Sequence, residues 1–375
     1  MTRIAYLLTQ DRGGPVDVTV RLAATLLAER AEVRVFGPVP ARGAESLGEH
    51  HEHLLVADKG NLAAAARARA AIREWAPDVV HAQDRRAGLV IAGLRPGRRR
   101  GGPVLVQTYH GVPDDVAEPW FRGERGSAGP SAYTRAVLAG DAAVARVLDH
   151  TIVPAEAMGR FLRRRLRVPA GRLSPVGNCV ELAEPSPPAG PVRQLIFVGL
   201  LVPRKGILDL LGALAEPGVL PEGARLTVVG DGPQREAAER AAQSPPLRGR
   251  VAFLGFRPDV TDLVADADAL VLPSTMEQQP LVVAEAMAAG KPVVATDTGG
   301  VAELLGPDGR PYLVPPANVP ALAQRLRELF TDPDPGRLGA RLADRARQQH
   351  DPRVCARRHL ELYAALAERT SATSV

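Results

Sequence analysis

Residues 269–290 have the sequence ALVLPSTMEQQPLVVAEAMAAG, and this stretch decides the fold class. The first five residues are apolar, which predicts a buried strand ending at Pro273. A short polar loop follows. A helix is expected from near Pro280 to Gly290, because proline favours a helix start and glycine a helix end. A strand followed directly by a helix is the repeating unit of a parallel α/β sheet.

The same alternation of short β-rich runs and helical patterns extends through most of the chain. In the first half we predict strands at 3–9, 32–37, 78–83 and 103–110, and helices near 16–30, 61–75 and 86–95. In the second half we predict strands at 195–199, 225–230, 251–255, 269–273 and 292–296, each followed by a helix. This pattern predicts an α/β protein with two Rossmann-like, doubly wound parallel-sheet domains that face each other across a cleft.

A proline-rich segment, EPSPPAGP at residues 184–191, separates the two series of strands and helices. Such a segment extends neither a helix nor a central strand, so we predict an interdomain link, with a long loop inside a single domain as the alternative. The predicted domains are residues 1–184 and 191–351. The final segment, 352–375, contains an amphipathic helix that we expect to pack back on the first domain.

Composition, charge and cysteine spacing predict a globular protein and argue against a disordered, disulfide-rich or membrane-spanning one. The 375 residues are 45% hydrophobic and 24% charged, which is typical of a globular protein, and the net charge of +5 suits an anionic ligand. Cys179 and Cys355 lie far apart in sequence and have no metal-ligand spacing, so we predict no metal site and a reducing, cytoplasmic location. The apolar run at 4–8 is too short for a signal peptide. No stretch approaches the roughly 20 apolar residues of a membrane span.

The loop and helix after Pro273 carry the strongest chemical signal. Amides at the helix start, Leu281 and Val282, offer partial positive charge to an anion such as a diphosphate. Glu285 lies one helical turn further, where its carboxylate can accept hydrogen bonds from a ribose diol. Glu277, in the loop, is placed to bind sugar hydroxyls. The alternative interpretation is that Glu277 is a loop charge and Glu285 a solvated helix residue.

Three features of the second half resemble a known family: the Glu-x7-Glu pair formed by Glu277 and Glu285, the run EAMAAGKPVVAT at 285–296, and Gly299-Gly300-x-x-Glu303. They are similar to family 4 of the retaining glycosyltransferases, which have the GT-B fold. The resemblance implies a nucleotide diphosphate sugar donor, UDP- or GDP-linked, held mainly by the C-terminal lobe, and an acceptor held mainly by the N-terminal lobe. It also implies that Glu277 contacts the donor sugar and Glu285 the ribose. We expect no cofactor and no metal.

Other segments extend the resemblance. Lys205, in FVGLLVPRKG at 197–206, occupies the family's diphosphate-binding lysine position, and a solvated loop cation is the alternative. Gly13 and Gly14 follow the first strand, where backbone amides can approach phosphates, although a Gly-Gly pair is more often just a turn. His110 matches a position where the family places a histidine near the reacting sugar, although a lone histidine is usually structural. The predicted catalytic residues are His110, Lys205 and Glu277. The predicted donor-binding residues are Gly13, Gly14, Arg204, Lys205, Gly230, Phe256, Arg257, Gln278, Gln279, Leu281, Val282 and Glu285.

Two departures from the family pattern bear on activity. Leu200 stands where the family usually has an arginine, five residues before the lysine, and Arg204 is the candidate replacement. Gln278-Gln279-Pro280 replaces the usual Gly-Phe-Gly. We interpret the second change as an altered donor-sugar specificity, with lost activity as the alternative.

The combined prediction is a retaining hexosyltransferase that acts on a small-molecule acceptor in bacterial secondary metabolism, such as antibiotic biosynthesis. One alternative is a lipid or polysaccharide precursor at the membrane surface, which basic clusters favour: Arg95 with Arg98–Arg100, and a helix carrying Arg160, Arg163–Arg165 and Arg167. Another is a sugar-nucleotide epimerase. We expect no nucleic-acid partner. Peripheral membrane contact and a homodimer stay open.

Overall fold

The computed structural model describes residues 2–56, 61–95 and 102–372. The chain divides into two compact units. The first comprises Met1–Cys179 together with Asp351–Val375, and the second comprises Val180–His350. Within the described residues, no helix is long and apolar enough to cross a membrane.

Each unit is a parallel sheet flanked by helices. The first unit contains β1 (Arg3–Leu7), α1 (Gly14–Ala28), β2 (Glu32–Gly37), β3 (His51–His53), α2 (Leu62–Trp75), β4 (Val79–Ala82), α3 (Arg85–Ala92), β5 (Val104–Thr108), α4 (Glu118–Arg122), α5 (Ala132–Val147), β6 (His150–Val153), α6 (Glu156–Leu166) and β7 (Leu173–Pro175). The second unit contains β8 (Gln194–Val198), α7 (Ile207–Ala215), β9 (Arg225–Val229), α8 (Arg235–Ala241), β10 (Val251–Gly255), α9 (Val260–Asp266), β11 (Ala269–Leu272), α10 (Leu281–Ala288), β12 (Val293–Thr296), α11 (Val301–Gly309), β13 (Leu313–Val314), α12 (Val319–Thr331) and α13 (Pro335–His350). The last helix, α14 (Pro352–Ala372), belongs to the first unit.

The strand order is that of a doubly wound sheet in both units. It is β3-β2-β1-β4-β5-β6-β7 in the first and β10-β9-β8-β11-β12-β13 in the second, with every neighbouring pair parallel. The order reverses between β1 and β4, and again between β8 and β11. Ligands of open α/β sheets bind beyond the carboxyl ends of the strands at such reversals. The predicted fold class is therefore confirmed at the level of each sheet.

The central strands form because their residues are apolar on both faces. Every residue of β4, β6, β11 and β12 is buried, as expected when helices cover both sides of a parallel sheet. The sequence pattern predicted the other strands but not β3, β6, β7 and β13. Strands β3, β7 and β13 have two or three residues each, too few for a pattern to be recognised, and two of the four residues of β6 are the polar His150 and Thr151.

The proline-rich segment lies within the second unit. The amide of Ser186 donates to the carbonyl of Ala289 at 2.9 Å, and Lys291 Nζ donates to the carbonyl of Ser186 at 2.5 Å. The units divide earlier, between Cys179 and Val180. Composition indicates where regular structure stops, but hydrogen bonds distant in sequence decide which unit an irregular segment joins.

Helix α14 contributes polar side chains to the interior of the first unit. The hydroxyl of Tyr363 lies 3.2 Å from that of Tyr6 and 2.6 Å from Nδ1 of His81. Nδ1 of His359 lies 2.8 Å from the carbonyl of Cys355. All of these side chains are buried. Burial disfavours the imidazolium and lowers the pKa of His359 to about 4, so this histidine is neutral at pH 7.

We expect His359 to make the first unit less stable as the pH falls. Between pH 6.5 and 4 the unfolded state binds a proton that the folded state does not. The free energy of unfolding therefore decreases by about 1.4 kcal/mol per pH unit for this residue. In His359→Gln this contribution disappears. Urea unfolding followed by tryptophan fluorescence measures it, since Trp75 and Trp120 both lie in the first unit.

The free energy of unfolding is measured for the wild type and for His359→Gln at pH 7, 6 and 5, and its dependence on pH is compared between the two proteins. Replacement of the exposed His53 by glutamine is the matched control and should leave the pH slope of the wild type nearly unchanged. Equal slopes for wild type and His359→Gln would contradict the assignment.

Candidate functional site

A buried ion pair lies where the strand order of the second unit reverses. Lys205 is in the loop between β8 and α7, and Glu277 is in the loop between β11 and α10. Lys205 Nζ donates to Oε1 of Glu277, and Oγ of Ser274 donates to the same oxygen at 2.8 Å. The two charged side chains are 15% and 8% exposed. Two residues that the sequence analysis proposed separately, as catalytic groups, are thus in direct contact.

Two glycines allow the loops around this pair to approach one another. Gly206 has φ +69°, and a Cβ there would lie 2.2 Å from the carbonyl oxygen of Pro273. Gly299 has φ +50°, and its Cβ would lie 1.6 Å from the carbonyl oxygen of Glu277. No other residue type fits at either position. The loops after β8 and β12 therefore both rest directly on the loop after β11, and this contact positions Lys205 against Glu277.

The start of α10 adjoins the same loop. The helix begins after Pro280, and no side chain of the described residues caps it. Its first backbone hydrogen bonds run from the amides of Val283 and Ala284 to the carbonyl of Pro280, so the preceding amides of Leu281 and Val282 are outside the helical ladder. Both residues are half-buried, as is Glu285 one turn further. The helix thus directs open amides, with partial positive charge, beside the ion pair.

The other residues predicted to bind the donor follow neighbouring strands. The carbonyl of Arg204 accepts from the amide of Thr275 at 2.8 Å, and the carbonyl of Gln278 accepts from the amide of Gly300 at 2.8 Å. Arg204 and Gln278 therefore take part in the backbone contacts between the loops around the ion pair. Gln279, which follows Gln278, is half-buried.

Gly230 follows β9, and Phe256 and Arg257 follow the edge strand β10. The amide of Gly230 donates to the carbonyl of Gly255 at 2.7 Å, which ties the end of β9 to that of β10. Phe256 is 72% exposed, and Arg257 pairs with Asp259. A Cβ at Gly230 would lie 2.0 Å from the carbonyl oxygen of Gly199, so Gly230 packs against the loop that carries Lys205. Phe256 and Arg257 follow β10, two strands away from β8, and form a second part of the predicted donor site.

In the first unit, the predicted residues follow β1 and β5. Gly13 precedes α1 with φ +103°, and Gly14 is the first residue of that helix. His110 follows β5, and its Nε2 lies 3.1 Å from Oε1 of Gln83. Burial, and then the proximity of His359, lowers the pKa of His110 to about 4, so that it is neutral at pH 7.

Several site residues escaped the sequence analysis. Ser274 holds Glu277, and Gln83 contacts His110. Asp84 accepts from the amide and hydroxyl of Thr9, both at 2.7 Å, and joins the end of β1 to the start of α3. Each of the three follows a buried strand directly or within two residues. A search for polar residues at strand ends would have found them.

The two cysteines, distant in sequence, line one small cavity of the first unit together with His110 and His359. Neither forms a disulfide, and both are buried. The hydrogen bond between them, together with burial, raises the pKa of the Cys355 thiol. Their proximity depends on the packing of α14, which no spacing in the sequence indicates.

Two family models match the chain. The model described as Glycosyltransferase Family 4 matches residues 12–184, and the model described as Glycosyl transferases group 1 matches residues 192–332. The chain is 31% identical over 280 residues to 2-deoxystreptamine N-acetyl-D-glucosaminyltransferase of Streptomyces fradiae, an alignment that covers 69% of this chain and 64% of that protein. It is 29% identical over 279 residues to glycogen synthase of Mycobacterium tuberculosis, with 72% and 64% covered. The chain thus spans less than two thirds of the length of these relatives.

Among solved structures, Anabaena Alr3699/HepE in complex with UDP matches with a TM-score of 0.78. The match covers 97% of this chain and 100% of that one, at 21% identity. The same protein in complex with UDP-glucose matches with a TM-score of 0.77. At this level of identity the likeness shows the fold, which is the predicted GT-B fold.

We expect Gly299→Ala to destabilise the second unit and to displace Glu277, because the new methyl group would overlap a backbone oxygen. Gly218→Ala is the matched control: its φ is +72°, and a Cβ there meets nothing within 4 Å. The control should cost about 1–2 kcal/mol from backbone strain alone. Gly299→Ala should cost at least about 2 kcal/mol more. Urea unfolding followed by circular dichroism measures both, and equal losses would contradict the proposed loop contact.

Proposed function

The chain belongs to the family 4 glycosyltransferases, and we propose that it transfers a sugar from a nucleoside diphosphate sugar to a small-molecule acceptor, with retention at the anomeric carbon. The observation that carries this proposal is the buried pair of Lys205 and Glu277, located at the strand-order reversal beside the open start of α10. A cation and open amides suit a diphosphate, while a carboxylate suits sugar hydroxyls. One place in the second unit thus offers groups for both parts of the donor.

In this proposal, each donor-binding group has a separate role. Lys205 and the amides of Leu281 and Val282 bind the diphosphate. Glu285 accepts hydrogen bonds from the ribose, and Glu277 accepts them from the sugar. Without donor, Glu277 pairs with Lys205, and Ser274 donates a further hydrogen bond to Glu277, so that neither charge is left uncompensated. With donor, the diphosphate supplies a second anionic partner for the ammonium group.

The proposed reaction is a displacement on one face of the sugar. The bond between the anomeric carbon and the β-phosphate oxygen breaks, and its electron pair stays on that oxygen. The acceptor oxygen forms its bond to the anomeric carbon on the same face, and its proton passes to the departing phosphate. Lys205 and the helix amides stabilise the negative charge that develops on the leaving group. The configuration at the anomeric carbon is therefore retained.

A UDP-sugar is the proposed donor. The Anabaena protein of the same fold was solved with UDP and with UDP-glucose, which supports uridine over guanosine. Gln278 and Gln279 stand next to Glu277 and offer amide donors and acceptors to the sugar. We propose that they adapt the site to a sugar with its own pattern of hydroxyl or amino groups.

A small polyhydroxylated or amino-substituted molecule is the proposed acceptor. The Streptomyces fradiae relative is named for transfer to 2-deoxystreptamine, which supports a role in antibiotic biosynthesis. The structure weakens one argument for a lipid acceptor. The apolar residues of α6, including Phe161 and Leu162, are buried in the first unit and are unavailable to a membrane. Arg163 and Arg164 remain exposed, and Arg98–Arg100 lie outside the described residues.

Nucleotide binding tests the donor site. We expect millimolar UDP to raise the Tm more than GDP, ADP or dTDP, since a ligand at about 100 times its Kd adds about 2.7 kcal/mol to stability. Glu285→Ala should weaken UDP binding about 10- to 100-fold through loss of charge-assisted hydrogen bonds. Glu236→Ala, which removes an exposed carboxylate on α8, is the control and should bind UDP normally. No stabilisation by any of the four nucleotides would contradict the donor site.

The stereochemistry tests the reaction. With a UDP-α-sugar and an aminocyclitol acceptor, proton NMR should show an α-linked product. A β-linked product would refute retention. Conversion of the donor to an isomer without any acceptor would refute transfer and indicate an epimerase.

A further inference from the structure

Gln83 lies buried between two histidines of the first unit. Its side chain is 1% exposed, and its Oε1 lies 3.1 Å from Nε2 of His110. Its Nε2 lies 3.4 and 3.5 Å from the two ring nitrogens of His81. Because a carboxamide oxygen only accepts hydrogen bonds, the contact with His110 requires a proton on Nε2 of that imidazole. In a neutral ring, Nδ1 of His110 then carries the lone pair.

The Gln83 carboxamide is held in turn by a fixed neighbour. His81 is fully buried on β4, with Nδ1 2.6 Å from the hydroxyl of Tyr363 and Nε2 2.8 Å from that of Thr108. The Tyr363 hydroxyl also contacts Tyr6. A chain of polar contacts therefore runs from α14 through His81 and Gln83 to His110. Rotation of the carboxamide would place its NH2 group against His110, while its oxygen would face a His81 ring already engaged by two hydroxyls.

The titratable groups around His110 favour its neutral form. His81 approaches from β4 and His359 from α14, and the thiols of Cys179 and Cys355 line the same cavity. No carboxylate is among the described residues that line this cavity. With no anion to stabilise an imidazolium, burial keeps the pKa of His110 near 4. A neutral histidine acts through its tautomer, which determines which nitrogen donates and which accepts.

We propose that Gln83 is a positioning residue that holds His110 as the Nε2-protonated tautomer, leaving Nδ1 as the hydrogen-bond acceptor for a substrate hydroxyl. The substrate part of this inference rests on the proposed glycosyltransferase activity. The tautomer part does not, because it depends only on contacts within the first unit.

Nitrogen-15 NMR of histidine-labelled protein tests the tautomer without any substrate. His110→Gln identifies the His110 signals. We expect wild-type His110 at pH 7 to show the Nε2-protonated pattern. Gln83→Met keeps the length of the side chain and removes the acceptor, so it should convert His110 to a mixture of tautomers. An Nδ1-protonated ring in the wild type would overturn the proposal whether or not the variants fold.

A second variant tests the electrostatic environment. Gln83→Glu places a carboxylate beside the imidazole, which should raise the titration midpoint of His110 by at least about one pH unit. Gln107 is the matched control: it is buried at the end of β5 and donates to Thr151 instead of contacting His110. Gln107→Glu and Gln107→Met should leave the tautomer unchanged and shift the midpoint much less. Equal effects at positions 83 and 107 would overturn the assignment.

Kinetics then link the tautomer to catalysis. We expect Gln83→Met to lower kcat about tenfold, with KM for the donor changed less than twofold and UDP binding intact, while Gln107→Met retains kcat. An unchanged kcat alongside a changed tautomer would refute the role in the reaction. Absence of transfer by the wild type, alongside the expected tautomer, would instead refute the proposed function.

Discussion

The ion pair of Lys205 and Glu277 is the interaction on which the second unit's site depends. Two charged groups are removed from water in a loop region, which costs several kcal/mol per ion unless geometry and hydrogen bonds compensate. Compensation here requires three loops to meet. Ser274 supplies a second donor to the carboxylate, Gly206 lets the β8 loop approach Pro273, and Gly299 lets the β12 loop approach Glu277. Glycine is thus required at positions 206 and 299 because the loops must approach closely for Lys205 to pair with Glu277.

The first unit arranges its polar interior differently. The polar groups around His110 are neutral: the hydroxyls of Tyr6, Tyr363 and Thr108, the carboxamide of Gln83, and the imidazoles of His81, His110 and His359. The unit also buries the carboxylates of Asp84 and Glu118. Burial lowers the pKa values of these histidines, so their charge does not have to be compensated. The second unit therefore places an ion pair at the point where its strand order reverses, while the first surrounds His110 with neutral hydrogen-bonding groups. The charged groups of the second unit suit an anionic diphosphate, and the neutral groups of the first unit suit hydroxyl groups.

The absence of an arginine at position 200 leaves fewer groups to bind the diphosphate in the proposed donor site. Leu200 is largely exposed, so the exchange places an apolar side chain in solvent and removes one cation from the loop. In the proposed donor site, Lys205 and the open amides of α10 then carry the diphosphate binding.

The sequence by itself determined the parallel α/β class, the longer strands, and the Glu-x7-Glu and lysine positions that indicate the family. These features are local, because periodicity, helix ends and motif spacing are all contained in short windows. The roles assigned to the site residues remain predictions. Only the tertiary structure decided that Lys205 contacts Glu277, that Gln83 contacts His110, and that Cys179 and Cys355 share a cavity. It also decided that the proline-rich segment joins the second unit. Such contacts join distant residues, such as His81 and Tyr363 at a separation of 282 positions. They arise from the packing of whole helices and strands, which no local pattern records.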